Sequence, residues 1–260
     1  MNLLFIGDVF GEAGRKAVQD VLPQLKKDRK IDFVVANGEN VAHGKGITAK
    51  TAEALFAAGV DVITTGNHAF DQHEVHGYFG QQPKLLRPLN FPGDSPGRGF
   101  VVQEVYGGVQ VGIVNLIGRI HMEPADCPFA AIDELFANYQ KQVDIWMVDM
   151  HAETTSEARA MGWHLDGRVA AVLGSHTHVQ TADEEVMPLG TAFLTDAGMT
   201  GPYRSVIGMR IPQVLRKMRL GIKSRFEPAT DDVRFCGALV EIEESNGLAR
   251  NIERVQVRLG

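Results

Sequence analysis

Leu3-Leu4-Phe5-Ile6 is an unbroken apolar run that stops at Gly7. A run this short, without polar alternation, predicts a strand buried on both faces. Val18, Val21, Leu22 and Leu25 then recur at helical spacing within residues 14–27. Phe33-Val34-Val35-Ala36 repeats the buried-strand pattern. Thr48 is a good N-cap for a helix over 49–58, with Gly59 to end it, and 60–65 is a third apolar run. Strand, helix, strand, helix, strand predicts a βαβαβ unit with a parallel sheet. The middle of the chain changes period. Residues 99–105 and 109–116 alternate around Gly107-Gly108, which signals a hairpin. Helical spacing returns over 129–142 and 155–161, with strands expected at 144–150, 169–173 and 191–195. The chain closes on a hairpin, 235–242 and 249–257, for which Asn246-Gly247 predicts a type I′ turn. Two strand-rich sets, each with its own helices, favour an α/β two-sheet β-sandwich flanked by helices over one doubly wound sheet. No repeat, low-complexity tract or linker divides residues 1–260, so one domain is expected.

Composition narrows the classes. The 260 residues are 44% hydrophobic and 22% charged, an ordinary globular profile. A formal net charge of −6 argues against a broad electrostatic grip on nucleic acid, so no stable nucleic-acid binding is expected. A small phosphate ligand could still be held by local positive charge. Cys127 and Cys236 stand far apart, outside any C-x-x-C, which argues against a disulfide framework or zinc ribbon and suits a reducing cytoplasm. No apolar stretch is long enough for a membrane span, and the N-terminus lacks the form of a signal peptide. The expected location is the cytoplasm, with no membrane partner.

The chemistry gathers after the strands. Gly7-Asp8 follows the first, Asn37-Gly38-Glu39-Asn40 the second, Gly66-Asn67-His68 the third, His151 the strand at 144–150, and Gly174-Ser175-His176-Thr177-His178 the strand at 169–173. Ligands of open α/β sheets bind outside the carboxyl ends of strands. Taken singly, Asp8 suits a helix cap, Asn40 or Asn67 a turn, and His151 a buried, satisfied imidazole. Jointly, each strand end delivers a carboxylate, an amide or an imidazole. If the backbone after Gly174 is extended, His176 and His178 face one side. Oxygen and nitrogen donors without thiolate suit manganese, iron or zinc. Seven donors (Asp8, Glu39, Asn40, Asn67, His151, His176 and His178) are too many for one tetrahedral ion and fit two adjacent ions sharing a bridge. Only Asp8 and Glu39 oppose two divalent charges, so the site keeps positive charge. That attracts phosphate and lowers the pKa of a bound water.

The order G-D, G-E-N, G-N-H, H, G-S-H-T-H resembles the calcineurin-like metallophosphoesterase superfamily, and D-V-F-G, G-N-H-A, D-M-H-A-E and T-D-A-G-M-T-G-P resemble its YmdB-like bacterial branch. The resemblance covers residues 1–208. It implies a four-layer αββα fold and two divalent or trivalent metal ions, iron or manganese ahead of zinc. It further implies hydrolysis of 2′,3′-cyclic nucleotides to 3′-nucleotides by a metal-bridging hydroxide. By the same resemblance Asp8, Glu39, Asn40 and His178 hold one ion, and Glu39, Asn67, His151 and His176 the other, with Glu39 as the bridge and His68 as general acid. The sequence departs from the superfamily pattern at three points. Phe10 stands where the first histidine is expected, and Asn40 is assigned to replace it. Glu39 replaces an aspartate. Ala69 replaces the acid after His68, with Asp71 two residues further on.

Other signals are weaker. Gly93-Asp94-Ser95-Pro96-Gly97 matches G-x-S-x-G, but Pro96 lacks the N–H that a nucleophile elbow needs. Residues 38–46 fail the phosphate-loop spacing. His73 and His76 suggest a surface face. His43 and His164 are expected near the pocket, and Phe10, Phe70 and Tyr203 offer stacking surfaces or plain packing. Competing functions are a broader phosphatase or RNA phosphodiesterase, and a nucleotide-binding regulator with incidental hydrolysis. A small phosphodiester or cyclic nucleotide is the expected partner, and a homo-oligomeric state stays open.

Overall fold

The computed structural model describes Met1–Gly260. Its first sheet takes β1 (Asn2–Ile6), β2 (Asp8–Val9), β3 (Phe33–Asn37), β4 (Val62–Thr64), β11 (Met199–Pro202), β12 (Val233–Glu243) and β13 (Leu248–Arg258), in the order β2-β11-β12-β1-β3-β4 with β13 paired to β12. β1, β3 and β4 are parallel, connected through α1 (Gly11–Asp28) and α2 (Ala49–Ala57) as expected. Thr48 and Thr51 form a reciprocal capping box that starts α2. The second sheet runs β5-β6-β7-β8-β10-β9. It is built from β5 (Phe100–Glu104), β6 (Gln110–Ile117), β7 (Ile145–His151), β8 (Ala171–Ser175), β9 (Glu185–Val186) and β10 (Ala192–Leu194). The helices α4 (Pro128–Tyr139) and α5 (Thr155–Leu165) belong to this half, while α3 (Val75–Gln81) and α6 (Ile211–Leu220) lie in regions where the apolar pattern predicted no element.

Both faces of each sheet are covered, which explains the unbroken apolar runs. Leu3, Phe5 and Val35 face Ile113, Met147 and Leu173 across the sandwich. The alternate residues Leu4, Ile6 and Val34 pack against Val18, Leu22 and Leu55 of α1 and α2. On the far side Val148 and Val172 meet Ile132, Phe136 and Met161 of α4 and α5. The result is helix, sheet, sheet, helix. No helix is long and apolar enough to cross a membrane.

The closing hairpin forms, but not through a type I′ turn. That turn needs positive φ at both central residues. Only Gly247 (φ 71°) is left-handed, Glu243 pairs with Leu248, and the Gly247 N–H donates to the Glu243 carbonyl at 2.8 Å. Four residues therefore make the connection, ending on the glycine.

Candidate metal centre

The carboxyl ends of parallel strands from both sheets meet at one rim of the sandwich. The first sheet sends Asp8 from β2, Glu39 and Asn40 from the turn after β3, and Asn67 and His68 from the turn after β4. The second sends His151 from the end of β7, and His176 and His178 from the loop after β8. Asp8, Glu39, Asn40, His151 and His178 are buried; Asn67, His68 and His176 are half-buried.

Polar atoms converge in two groups. In one, His151 Nε2 lies 3.0 Å from Asn67 Oδ1 and 3.0 Å from His176 Nδ1. In the other, His178 Nε2 lies 3.1 Å from the Asn40 amide and 3.7 Å from Asp8 Oδ1. Glu39 Oε1 touches both, 3.3 Å from His151 Nε2 and 3.1 Å from the Asn40 amide. Ligand atoms of Glu39, His151 and His176 all lie within 4.8 Å of one another.

The residues behind the cluster fix its tautomers. The Ser175 hydroxyl donates to Asp149 Oδ1 at 2.6 Å, so it accepts from His151 Nδ1 at 2.9 Å. The lone pair of a neutral His151 is then on Nε2, amid the oxygens of Glu39 and Asn67. Asp149 is fully buried and also accepts from Asn37 Nδ2 at 3.2 Å and from the Thr64 hydroxyl. His178 Nδ1 donates to the Ile207 carbonyl at 3.0 Å, which likewise leaves Nε2 for the site. Glu153 holds His176 Nε2 at 2.9 Å and turns Nδ1 inward. Carboxylates and carbonyls that orient imidazoles in this manner are the usual outer partners of metal-ligating histidines.

The cluster fits cations. Asp8 Oδ1 is buried with no hydrogen-bond partner, while Oδ2 accepts from the His176 N–H at 3.0 Å. The lone pair of a neutral His151 points at the acceptors Asn67 Oδ1 and Glu39 Oε1, and that of His178 has Asp8 Oδ1 as its nearest acceptor, 3.7 Å away. A Cβ on Gly66 would lie 2.2 Å from His151 Nε2 and 2.5 Å from Glu39 Oε2, so only glycine leaves the cradle open. Oxygen and nitrogen donors without sulfur suit manganese, iron or zinc.

Without an ion, protons answer the same need. Burial raises Asp8 to about 7, with His151 opposing and Glu39 assisting. Burial also acts to raise Glu39, but the charge and hydrogen bond of His151 outweigh it and hold Glu39 below the usual carboxylate range. At His151, burial acts downward; Glu39 and Asp8 overcome it and push the imidazole up to about 9. Burial and the neighbouring His151 charge push His176 down to about 3. The metal-free chain thus keeps a proton on His151, in the place where a cation would sit.

The histidine pair converges for a different reason from the extended backbone expected of it. His176 (φ 114°) and His178 (φ 66°) are both left-handed, a conformation that costs side-chain-bearing residues about 1–3 kcal/mol. Buried Asp196 holds the loop, accepting from the N–H and hydroxyl of Thr177, each at 2.8 Å, and from the Gly198 N–H at 2.7 Å. Asp71 also acquires a place. Its Oδ2 lies 2.6 Å from His68 Nδ1, so an acid three residues on holds the imidazole although Ala69 cannot.

A cavity of about 320 Å³ opens on the cluster. Glu39, Asn40, His68, His176 and His178 line one side, and Ile207, Met209, Val214, Met218 and Phe226 line the other. His43 is exposed and does not line it, and His164 lies elsewhere, 3.0 Å from Asp133. Phe10 is clamped rather than free to stack, because a Cβ on Gly44 or Gly208 would meet its ring at 2.7 or 2.6 Å. Phe70 packs on Phe79 and Phe91, and the Tyr203 hydroxyl meets Cys236 Sγ at 3.1 Å. His73 and His76 stack on each other away from the cluster. Asn37, Asp149, Glu153, Ser175 and Asp196 were given no role from sequence. Asp149 and Glu153 flank His151 two residues to either side, which was the available signal.

Known proteins resemble this chain over nearly its whole length. A family model described as YmdB-like protein matches residues 4–255. The 2′,3′-cyclic-nucleotide 2′-phosphodiesterase of Bacillus subtilis (strain 168) is 42% identical over 257 residues, 99% of this chain and 97% of the relative. A crystal structure of a hypothetical protein from Thermus thermophilus superposes with a TM-score of 0.93 at 41% identity, covering 99% of both chains. A phosphatase structure from Mycoplasma pneumoniae gives a TM-score of 0.93 at 34% identity, covering 99% of this chain and 93% of that one.

Proposed function

The chain belongs to the YmdB-like protein family, and from that premise we propose that it is a metal-dependent phosphodiesterase that opens 2′,3′-cyclic nucleotides at the 2′ oxygen to leave 3′-nucleotides. The observation that carries this reading is the meeting of strand ends from two sheets in one cluster of seven donors, with Glu39 touching both of its groups. Asp8, Glu39, Asn40 and His178 would hold one cation, and Glu39, Asn67, His151 and His176 the other. A turn of the Asn40 amide about its own axis presents its oxygen where the amide nitrogen now lies. When bound, manganese or iron would supply Lewis-acid charge to the phosphate oxygens that only two carboxylates offset.

The chain's own residues do the rest. The phosphodiester sits at the rim with its sugar and base against the apolar side chains of Ile207, Met209 and Met218. A water adds to phosphorus in line with O2′ and releases one proton to solvent, the P–O2′ bond breaks, and O2′ takes the proton held at His68 Nε2. Asp71, on Nδ1 of the same ring, keeps Nε2 turned to the leaving oxygen.

The test is turnover of adenosine 2′,3′-cyclic phosphate against the 3′,5′-cyclic isomer and a simple monoester, with manganese and with chelator. The expected result is 3′-AMP, formed only with metal. His68→Ala should keep the wild-type metal content and lose about 10²–10⁴-fold in kcat. A 2′-AMP product or an unaffected His68 variant would overturn the assigned roles, and tight binding without product would favour a regulator.

A further inference from the structure

The chain is acidic overall, yet the cavity's outer edge is not. Between Ala197 and Phe226 stand Arg204, Arg210, Arg216, Lys217, Arg219, Lys223 and Arg225, with no Asp or Glu among them. These are seven of the chain's 26 basic residues. Arg210 pairs with Glu227 at 3.0 Å; the other six make no ion pair. Lys217 lines the cavity, its Nζ 5.1 Å from the Phe226 ring centre. Arg216, Arg219, Lys223 and Arg225 lie beyond the lining, all exposed. Exposed Leu215, Met218, Leu220 and Ile222 are interleaved with them.

Resting on the reading above, we propose that the preferred substrate is the 2′,3′-cyclic-phosphate end of an oligoribonucleotide, whose upstream phosphates run along α6 and residues 221–225. A mononucleotide has one phosphate, and the metal cluster uses it. The unpaired charges outside the cavity then have no counterpart. An RNA chain supplies one further phosphate per nucleotide, and its bases can lie on the interleaved apolar side chains. The geometry of the end agrees. A 2′,3′-cyclic phosphate exists only at the 3′ terminus, so the rest of the chain leaves through the 5′ oxygen, away from the cluster. From Lys217 to Arg225 the backbone spans roughly 12–26 Å, at about 1.5 Å per residue if helical and 3.3 Å if extended, room for several phosphates. Such ends arise when a 2′-hydroxyl attacks its own phosphodiester, so the supplying reaction is RNA cleavage by internal transesterification. A basic amphipathic helix can also rest on an anionic membrane. Here Val214 is buried, and Val214, Lys217 and Met218 line the cavity, so α6 borders the site with a basic side chain among its apolar ones. That favours RNA.

The experiment compares kcat/KM of the metal-loaded enzyme on adenosine 2′,3′-cyclic phosphate and on a tetranucleotide with the same cyclic end. Contact with two or three phosphates makes oligonucleotide affinity fall roughly 7- to 18-fold between 50 and 200 mM salt. The tetranucleotide should therefore be favoured about tenfold or more at 50 mM and lose that advantage at 200 mM. The variant Arg219→Glu/Lys223→Glu/Arg225→Glu, which lies outside the lining, should abolish the preference and leave mononucleotide turnover unchanged. Fluorescence anisotropy with a labelled 3′-phosphate tetranucleotide should show the same loss in Kd. Equal kcat/KM for the two substrates, or an equal drop for both in the variant, overturns the proposal while the phosphodiesterase reading stands. Charge-dependent binding to phosphatidylglycerol vesicles without oligonucleotide preference also overturns it, in favour of a membrane surface. Failure on both substrates with metal bound removes the reading beneath it.

Discussion

Gly66→Ala probes the proposed centre with a single methyl group. Gly66 lies in the turn after β4, and its added Cβ would stand 2.2 Å from both Cδ2 and Nε2 of His151. Ordinary contact begins at 3.4 Å, so a gap of about 1.2 Å must be found. His151 cannot readily supply it. Its ring is fully buried and tied at Nδ1 to Ser175, which is tied in turn to Asp149. Overpacking of this kind costs about 1–3 kcal/mol, or roughly 2–12 °C in Tm for a chain of this size. The fold should survive. A ligand displaced by about 1 Å is worth about 10²-fold in activity, and metal affinity should fall with it. Elemental analysis of protein grown with manganese reads metal content, calorimetry reads Tm, and initial rates read activity. Gly77→Ala is the control, since its Cβ meets nothing within 4 Å on exposed α3, and it should stabilise by about 0.5–1 kcal/mol. A Gly66→Ala enzyme with full metal content and wild-type rate would refute the convergence of His151 and Glu39 on a shared ion.

Asp71→Asn should leave metal content and KM in place and lower kcat about 10- to 100-fold, because His68 loses the carboxylate that aims it; unchanged kcat would remove Asp71 from the mechanism. Asp149→Asn replaces an acceptor of the Ser175 and Thr64 hydroxyls with a donor, so it should cost about 1–3 kcal/mol and weaken metal binding about 10- to 100-fold, measured by competition with a chelating dye. In chelated protein the raised pKa of His151 stabilises the fold below its ordinary 6.5, and this contribution is lost as pH rises through about 9. Tm of the chelated form should therefore fall between about pH 7 and 9, while the metal-loaded form, whose ligands must be deprotonated, holds or gains. A chelated Tm that is flat over that window would show that His151 carries no extra proton.

Much of the architecture was legible because burial on both faces leaves a plain mark. Leu3–Ile6 and Phe33–Ala36 must be apolar at every position when one face meets the other sheet and the other meets α1 or α2. Thr48 announced α2 through its own side-chain chemistry. What escaped was structure fixed by partners distant in sequence. β2 has two residues, and Asp8–Val9 is a strand only because Met199–Thr200 lies beside it. α6 buries little beyond Val214, so its pattern gave no core-facing signal. Asn246-Gly247 suggested a tight turn, but the register of a long antiparallel pair decided for a wider one.

The centre divides along the same line. Donors at strand ends could be read because the strands could be read, and parallel strands carry their carboxyl ends to one rim. The residues that aim those donors could not. Nothing local tells Asp149 that it will receive Asn37 and Thr64 from the other sheet, 112 and 85 positions away. The same holds for His176 and His178, whose left-handed backbone is set by Asp196, 19 positions beyond Thr177 in the chain. A metal site assembled from two sheets thus has an inner layer written in short motifs and an outer layer written in the packing of the sandwich. Substitutions in the outer layer should consequently lower stability and metal affinity together, whereas His68, which lines the cavity, and Asp71, which holds its Nδ1, should affect turnover alone.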